Sequence, residues 1–227
     1  RARDELLRDP PTTEEHILRP ATYLDDDEVT EVETPELADG ETLVEDSEDD
    51  FGMLSLLVVL AERIDFVAAW DSVQGWAGDA SIAFERAGVT CVRAEVAFDA
   101  PTDADRFGEA FRQWAGDGEA TVAVEGDRAT FESCDPGTDT EPPADERISG
   151  VQGVFLRAGL VEGLRSSGAP LPVAECVADE VVAHFGADRL GQLDELLAEG
   201  PDDAATAELQ RVAGEAVEGA CADADRN

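Results

Sequence analysis

The stretch Ala80-Ser81-Ile82-Ala83-Phe84-Glu85-Arg86-Ala87-Gly88-Val89-Thr90-Cys91-Val92-Arg93-Ala94-Glu95-Val96-Ala97-Phe98 decides the fold. Ala80–Arg86 and Val89–Phe98 read as two strands, and Ala87-Gly88 between them as a two-residue hairpin turn. In the second strand Val92, Ala94, Val96 and Phe98 alternate with Arg93, Glu95 and Ala97, which points one apolar face at a core. A second hairpin is expected from residues 119–125 and 128–133 around Gly126-Asp127. Between the two hairpins Phe107, Ala110, Phe111 and Trp114 share one face of a helix over Pro101–Trp114. The sum is an α+β class: a helix-covered antiparallel sheet of about four strands.

Toward the N-terminus, Gly75-Trp76-Ala77-Gly78-Asp79 reads as a turn leading into the first strand, with Gly75 and Gly78 supplying backbone freedom. Phe51–Ile64 is the most apolar segment. Leu54, Leu57, Val58 and Ala61 follow helical spacing, and Leu56, Val59 and Leu60 widen the face of a central core helix. A further helix is expected over Asp65–Val73. Residues 25–50 are acidic and turn-rich, a surface segment in which Glu31–Glu33 and Thr42–Val44 alternate as short edge strands do. Residues 1–9 look like a helix end before Pro10-Pro11, and Thr12 with Glu15 has capping-box spacing for a short helix.

Beyond the second hairpin, residues 135–149 hold three prolines and many acids and read as a linker between an α+β domain (1–134) and a helical bundle (150–227). Four helices are expected in the bundle: Val151–Leu164, Pro172–Phe185, one marked by Leu190, Leu193 and Leu197, and one marked by Leu209, Val212, Ala213, Ala216 and Ala220.

The 227 residues carry 54 acids against 16 basic residues, a net charge of −38, and every basic residue is Arg. Such a chain repels phosphate backbones and anionic lipid heads, so nucleic-acid binding is not expected. A salt-loving source and a GC-rich genome both produce this composition. At 43% hydrophobic residues there is enough apolar side chain for a core. The longest mainly apolar run, Met53–Ala61, is nine residues, short of the roughly 20 a membrane helix needs, so no membrane insertion is expected.

The four cysteines, Cys91, Cys134, Cys176 and Cys221, include no CxxC pair. Three pairings are open. The pairing 91–134 and 176–221 is the one that staples each sub-structure, and a loop of that size constrains the unfolded chain by about 4 kcal/mol in the entropy account. Two bridges imply an oxidising compartment, hence a secreted or cell-surface protein. The chain opens on Arg1-Ala2-Arg3-Asp4, without a leader pattern, and is expected to be a processed product or a piece of something longer.

No catalytic constellation stands out. The two histidines, His16 and His184, lie in no HExxH. His184 is expected near a helix end, where a cationic ring suits the dipole, and His16 in a local structural role. No GxSxG presents a serine, and a phosphate loop ending in GK[ST] is excluded by the lack of Lys. Asp46-Ser47-Glu48-Asp49-Asp50-Phe51-Gly52 loosely resembles a calcium loop, but its glycine is one place late and Leu57 stands where Glu is required. No metal ligand, catalytic residue or cofactor is therefore assigned, and weak Ca²⁺ or Mg²⁺ binding stays open. Trp76 and Asp79 are the most pointed candidates. Their structural reading is a turn in which Trp76 packs on the core and Asp79 caps a neighbouring backbone group.

Two segments together carry a resemblance. Asp9-Pro10-Pro11-Thr12-Thr13-Glu14-Glu15-His16-Ile17-Leu18-Arg19-Pro20 and Gly75-Trp76-Ala77-Gly78-Asp79 resemble, in the same order, segments of secreted bacterial and archaeal proteins that look like zinc metallopeptidases. In those a helix with HExxH precedes both segments. This chain departs from the pattern: Arg19 stands where a histidine precedes the second proline, Ala77 replaces a glycine, and the HExxH helix lies outside it. The resemblance implies the C-terminal, non-catalytic portion of a zincin-like protein, and no zinc ligand carries over to any residue here. On this reading Pro10, Pro11, Thr12, Glu15, His16, Gly75, Trp76, Gly78 and Asp79 are structural. The expected function is a non-catalytic accessory region of a secreted or cell-surface metallopeptidase-like protein, partnered by an N-terminal portion or another surface protein. Two alternatives remain: a secreted hydrolase using carboxylates and a divalent metal, and a stand-alone extracellular binding module with an apolar groove.

Overall fold

The computed structural model describes residues 10–19, 29–116, 118–134, 144–199, 203–222 and 224. In chain order the elements are α1 (Glu14–Leu18), β1 (Glu41–Asp49), α2 (Gly52–Ala61), α3 (Phe66–Ser72), β2 (Trp76–Arg86), β3 (Val89–Phe98), α4 (Pro101–Ala115), β4 (Thr121–Glu125), β5 (Arg128–Cys134), α5 (Ala144–Ser166), α6 (Leu171–Glu199) and α7 (Asp203–Glu218). The chain divides into two compact units, the second collecting Pro142–Asn227 with the short stretches Leu18–Ala21 and Asp65–Val67.

The first unit is built on a five-stranded antiparallel sheet in the order β1-β2-β3-β5-β4. The α+β class is as expected. The strand beyond the expected four is β1, whose Thr42–Val44 alternation placed it as an edge strand, whereas Glu31–Glu33 forms no strand. Ala87 and Gly88 both have positive φ, 54° and 83°, as the two-residue turn requires. Register pairs Phe84 with Cys91 and Cys91 with Cys134. By period two, Val92, Ala94 and Val96 share the opposite face with Phe131 and Ser133. Helices α2 and α4 cover that second face. Phe107 and Phe111 of α4 stack on Phe131, with ring centroids 6.2 and 4.6 Å apart. Gly108 lets α4 approach β4, since a side chain there would meet the Val124 Cγ2 methyl at 2.5 Å.

Helix α2 forms where the apolar run predicts it, but the buried stripe is turned. Met53, Leu56, Leu57 and Leu60 are buried, Leu54 is exposed and Val58 is half-buried. Both stripes obey helical spacing. In a run this uniformly apolar the period cannot choose between them.

The opposite sheet face carries the first disulfide, Cys91–Cys134, beside the fully buried Phe84 and Ile82. Residues 29–40 strap this face. Thr30 donates its N–H to the Ala77 carbonyl at 2.8 Å, and the Glu36 carbonyl accepts from Arg93 Nη1 at 2.8 Å.

The second unit is helical and holds the second disulfide, Cys176–Cys221, which ties α6 to the turn after α7. The two expected central helices are one: α6 runs unbroken from Leu171 to Glu199. The bundle therefore has three helices among the described residues, not four. The two glycines within α6, Gly186 and Gly191, cost a long helix only about 1 kcal/mol each relative to alanine and do not break it. The expected linker 135–149 is shortened too, because Ala144–Ser149 belong to α5; residues 135–143, and the helix end expected over 1–9, lie outside the described residues. Arg157, 2% exposed, is held by both carboxylate oxygens of Asp179 and by the Leu18 carbonyl at 3.3 Å. Gly153 sits against the Phe66 ring.

Candidate functional site

Helix α2 begins without a capping side chain of its own, because Phe51 precedes it. Its free N–H groups need acceptors, and two carboxylates from distant chain positions supply them. Asp79, near the start of β2, accepts from the N–H of Phe51 at 2.6 Å through Oδ2, and from Gly52 at 3.0 Å and Trp76 Nε1 at 2.9 Å through Oδ1. Glu14, at the start of α1, accepts from the N–H of Leu54 at 2.9 Å. Negative charge at a helix N-terminus is also favoured by the macrodipole. Burial pushes the Asp79 carboxyl above its ordinary value, against the three donors that favour the ionised form.

The glycines around this knot are dictated by close approach. Gly75 has φ +73° and faces the Asp103 carboxylate, and Gly52 has φ +71° and faces that of Glu14. At Gly78 a side chain would lie 2.2 Å from the Thr30 carbonyl oxygen. The two sequence segments singled out above thus meet at one helix end, through Glu14 in one and Asp79, with Trp76 hydrogen-bonded to it, in the other.

The capping box of α1 is displaced by one residue from the expected Thr12/Glu15 pair. Thr13 Oγ1 accepts from the N–H of His16 at 3.0 Å, and His16 Nδ1 takes the N–H of Thr12 at 3.4 Å. His16 thereby fills the position that Glu or Gln occupies in the usual box. Glu15 and His16 are buried, while Pro10, Pro11 and Thr12 are exposed. His184 is not at a helix end, since α6 continues past it. Its Nε2 lies 3.2 Å from Glu208 Oε1 and ties α6 to α7.

A charge quartet crosses the strapped sheet face. Arg93 Nη2 lies 2.9 Å from Glu41 and 2.6 Å from Glu132, and Arg86 reaches the same two carboxylates. Both guanidinium groups stand over the Phe84 ring, at 4.6 and 5.1 Å. Glu41, whose side chain is 1% exposed, also accepts the Ala38 N–H. The Arg93 hydrogen bond above all, with those from Ala38 and Arg86, holds the Glu41 carboxyl down at about 2. The two arginines lower Glu132 as well, and the carboxylates raise both arginines further. Two positive and two negative charges leave the quartet neutral. Among the described residues no three His, Cys, Asp or Glu side chains converge as a metal site. Within the Asp46–Gly52 stretch, residues 46–49 lie in β1 and Asp50 leads into α2.

The helix-covered face of the sheet encloses a cavity of about 620 Å³. Val92 and Phe131 form its floor, Val59 and Leu60 of α2 one wall, and Phe111 and Trp114 of α4 the other. Its rim is the exposed end of the β2–β3 hairpin, Gly88 of the turn with Val89 and Thr90 of β3. No charged side chain lines it among the described residues. Two lining residues hold buried polar atoms without a hydrogen-bond partner, the Trp114 indole Nε1 and the Ser133 hydroxyl. The Arg63 guanidinium stands over the Trp114 ring at 4.6 Å. The sequence places Phe107, Phe111 and Trp114 on one helix face but cannot tell a filled core from a hollow one. Ser133 carries no sequence signal at all.

Residues 41–141 match a family described as a domain of unknown function, DUF8575. The match takes in the whole sheet with α2, α3 and α4, and leaves out the Glu14 segment. No curated protein and no solved structure matches the chain.

Proposed function

We propose that the chain is a non-catalytic, disulfide-stapled accessory region of a secreted or cell-surface protein of metallopeptidase-like kinship. The observation that supports this reading is the use made of Asp79. Both its oxygens are engaged by backbone N–H groups and an indole of its own fold, so the carboxylate best placed by motif to do chemistry is a helix cap. The same holds for Glu14, whose acceptor oxygen serves Leu54. The two acids of the quartet, Glu41 and Glu132, are paired with Arg86 and Arg93, and so serve to hold neighbouring strands together. Two disulfides fit an oxidising compartment, and among the described residues no helix is long and apolar enough to cross a membrane. The partner on this reading is another part of the same protein or a second surface protein.

The test is direct. The purified chain, assayed for metal by mass spectrometry and for cleavage of a denatured protein substrate, is expected to hold no stoichiometric zinc and to cleave nothing. Bound zinc at one per chain, or cleavage abolished by Asp79→Asn in a variant that remains folded, overturns the reading. Four alkylatable thiols in native protein would remove the argument for export.

A further inference from the structure

We propose that the 620 Å³ cavity between the sheet, α2 and α4 is a binding site for an uncharged small molecule with an apolar body and a single hydroxyl or carbonyl group. The volume lies inside the range of about 300–1,000 Å³ typical of ligand sites. The hollow lies between the sheet and two helices and opens at its rim, which gives an apolar molecule both room and a way in. Its lining is aromatic and aliphatic, which selects an apolar body. An apolar cavity of this kind does not hold water well, because water needs two to four polar partners.

The head group is selected by what the walls lack. No charged side chain lines the cavity among the described residues, and a chain of net charge −38 gives an anion no attraction from afar. The Arg63 guanidinium stands over the Trp114 ring but does not line the cavity, so a carboxylate placed there would lose its hydration with no cation in the wall to replace it. Two wall residues, however, carry buried polar atoms without partners: Trp114 Nε1, which can only donate, and Ser133 Oγ, which donates or accepts. Unsatisfied buried donors are costly, and a carbonyl or hydroxyl oxygen that reaches either of them relieves that cost. Access is through the rim at Gly88–Thr90, the exposed end of the β2–β3 hairpin. The inference does not depend on export or on metallopeptidase kinship, and its failure would leave the accessory reading untouched.

The experiment uses the full chain with both disulfides formed and prodan, an uncharged naphthalene ketone, as the probe. Saturable binding at one per chain with blue-shifted emission is expected. 1-Decanol is expected to displace prodan at concentrations at least tenfold lower than decanoate requires. Thr90→Trp, at the exposed rim, and Val59→Trp, in the wall, are each expected to weaken prodan binding at least tenfold. The rim variant leaves the core intact and serves if the wall variant does not fold. Trp114→Phe removes the donor together with the five-membered ring that carries it, and should weaken prodan by at least about threefold, the lower bound set by one lost hydrogen bond. Absence of saturable binding, indifference to both Trp variants, or equal displacement by decanoate overturns the proposal.

Discussion

The carboxylate of Asp79 and the backbone of Gly52 are joined by a 3.0 Å hydrogen bond across 27 residues of chain. A core helix is therefore capped from the sheet it packs on, so that the start of β2 and the start of α2 cannot form independently.

Removing this cap strands two backbone donors and an indole. Asp79→Ala is expected to cost about 3 kcal/mol, the loss of a cap plus the desolvation of unsatisfied groups. Glu14→Ala, which frees only Leu54, is expected to cost about 1 kcal/mol. All three tryptophans, Trp70, Trp76 and Trp114, belong to the first unit, so urea unfolding followed by tryptophan fluorescence reads that unit alone. Because both carboxylates serve one helix end, the double variant should lose less than the sum of the two.

How much of this was legible follows from where each signal sits. The β2–β3 hairpin was plain, since Ala87-Gly88 and the alternation from Val92 to Phe98 are local. Gly75–Asp79 reads in the sequence as a turn, but Trp76–Asp79 already belong to β2, paired with β3; the target of Asp79 is not legible either, since its backbone donors lie on a different element and Phe51 gives no hint that a cap is supplied from elsewhere. Thr12 and Thr13 both look like caps, and only the geometry of His16 separates them. The face of α2 was ambiguous because nearly every residue from Met53 to Ala61 is apolar. The cavity was invisible, for a period-3.6 pattern reports which side of α4 is inward and nothing about the space it faces.

Gly78→Ala places a methyl where the Thr30 carbonyl oxygen lies 2.2 Å from it. The strap must move away and the Thr30 N–H bond to Ala77 must break. A loss of about 2 kcal/mol is expected, as for other overpacked sites. Hydrogen exchange at the Thr30 amide should accelerate sharply. Ala77→Gly, which leaves that bond in place, should change the exchange little; equal effects of the two substitutions would refute the close-approach account.

The quartet makes the first unit acid-labile in a defined window. Glu41 is held at about 2 in the folded chain against 4.5 for a free glutamate, so the unfolded chain binds its proton first as pH falls. The stabilisation is complete above pH 4.5 and is lost progressively down to about pH 2. Asp79 works the other way, since its raised value makes the folded chain the better proton acceptor just above 3.8. Glu41→Gln should therefore flatten the decline of stability across the lower window, measured as urea midpoints by tryptophan fluorescence from pH 5 downward. An unchanged slope would show that Glu41 titrates alike in both states.

In the second unit the buried Arg157 gives an asymmetric prediction. Its side chain is 3% exposed, while that of its partner Asp179 is 45% exposed. Asp179→Ala leaves a buried guanidinium without its carboxylate, a loss of about 2–3 kcal/mol once the solvent at the open side is allowed for. Arg157→Met removes the charge and keeps the stem that packs between α5 and α6, so it should cost clearly less than Asp179→Ala despite replacing the more buried residue. The double variant Arg157→Met with Asp179→Ala should then be no worse than Asp179→Ala alone. Thermal unfolding followed by far-ultraviolet circular dichroism, which the long helices dominate, measures all three. A larger loss for Arg157→Met than for Asp179→Ala would mean that the arginine acts through its packing and its bond to the Leu18 carbonyl more than through its ion pair.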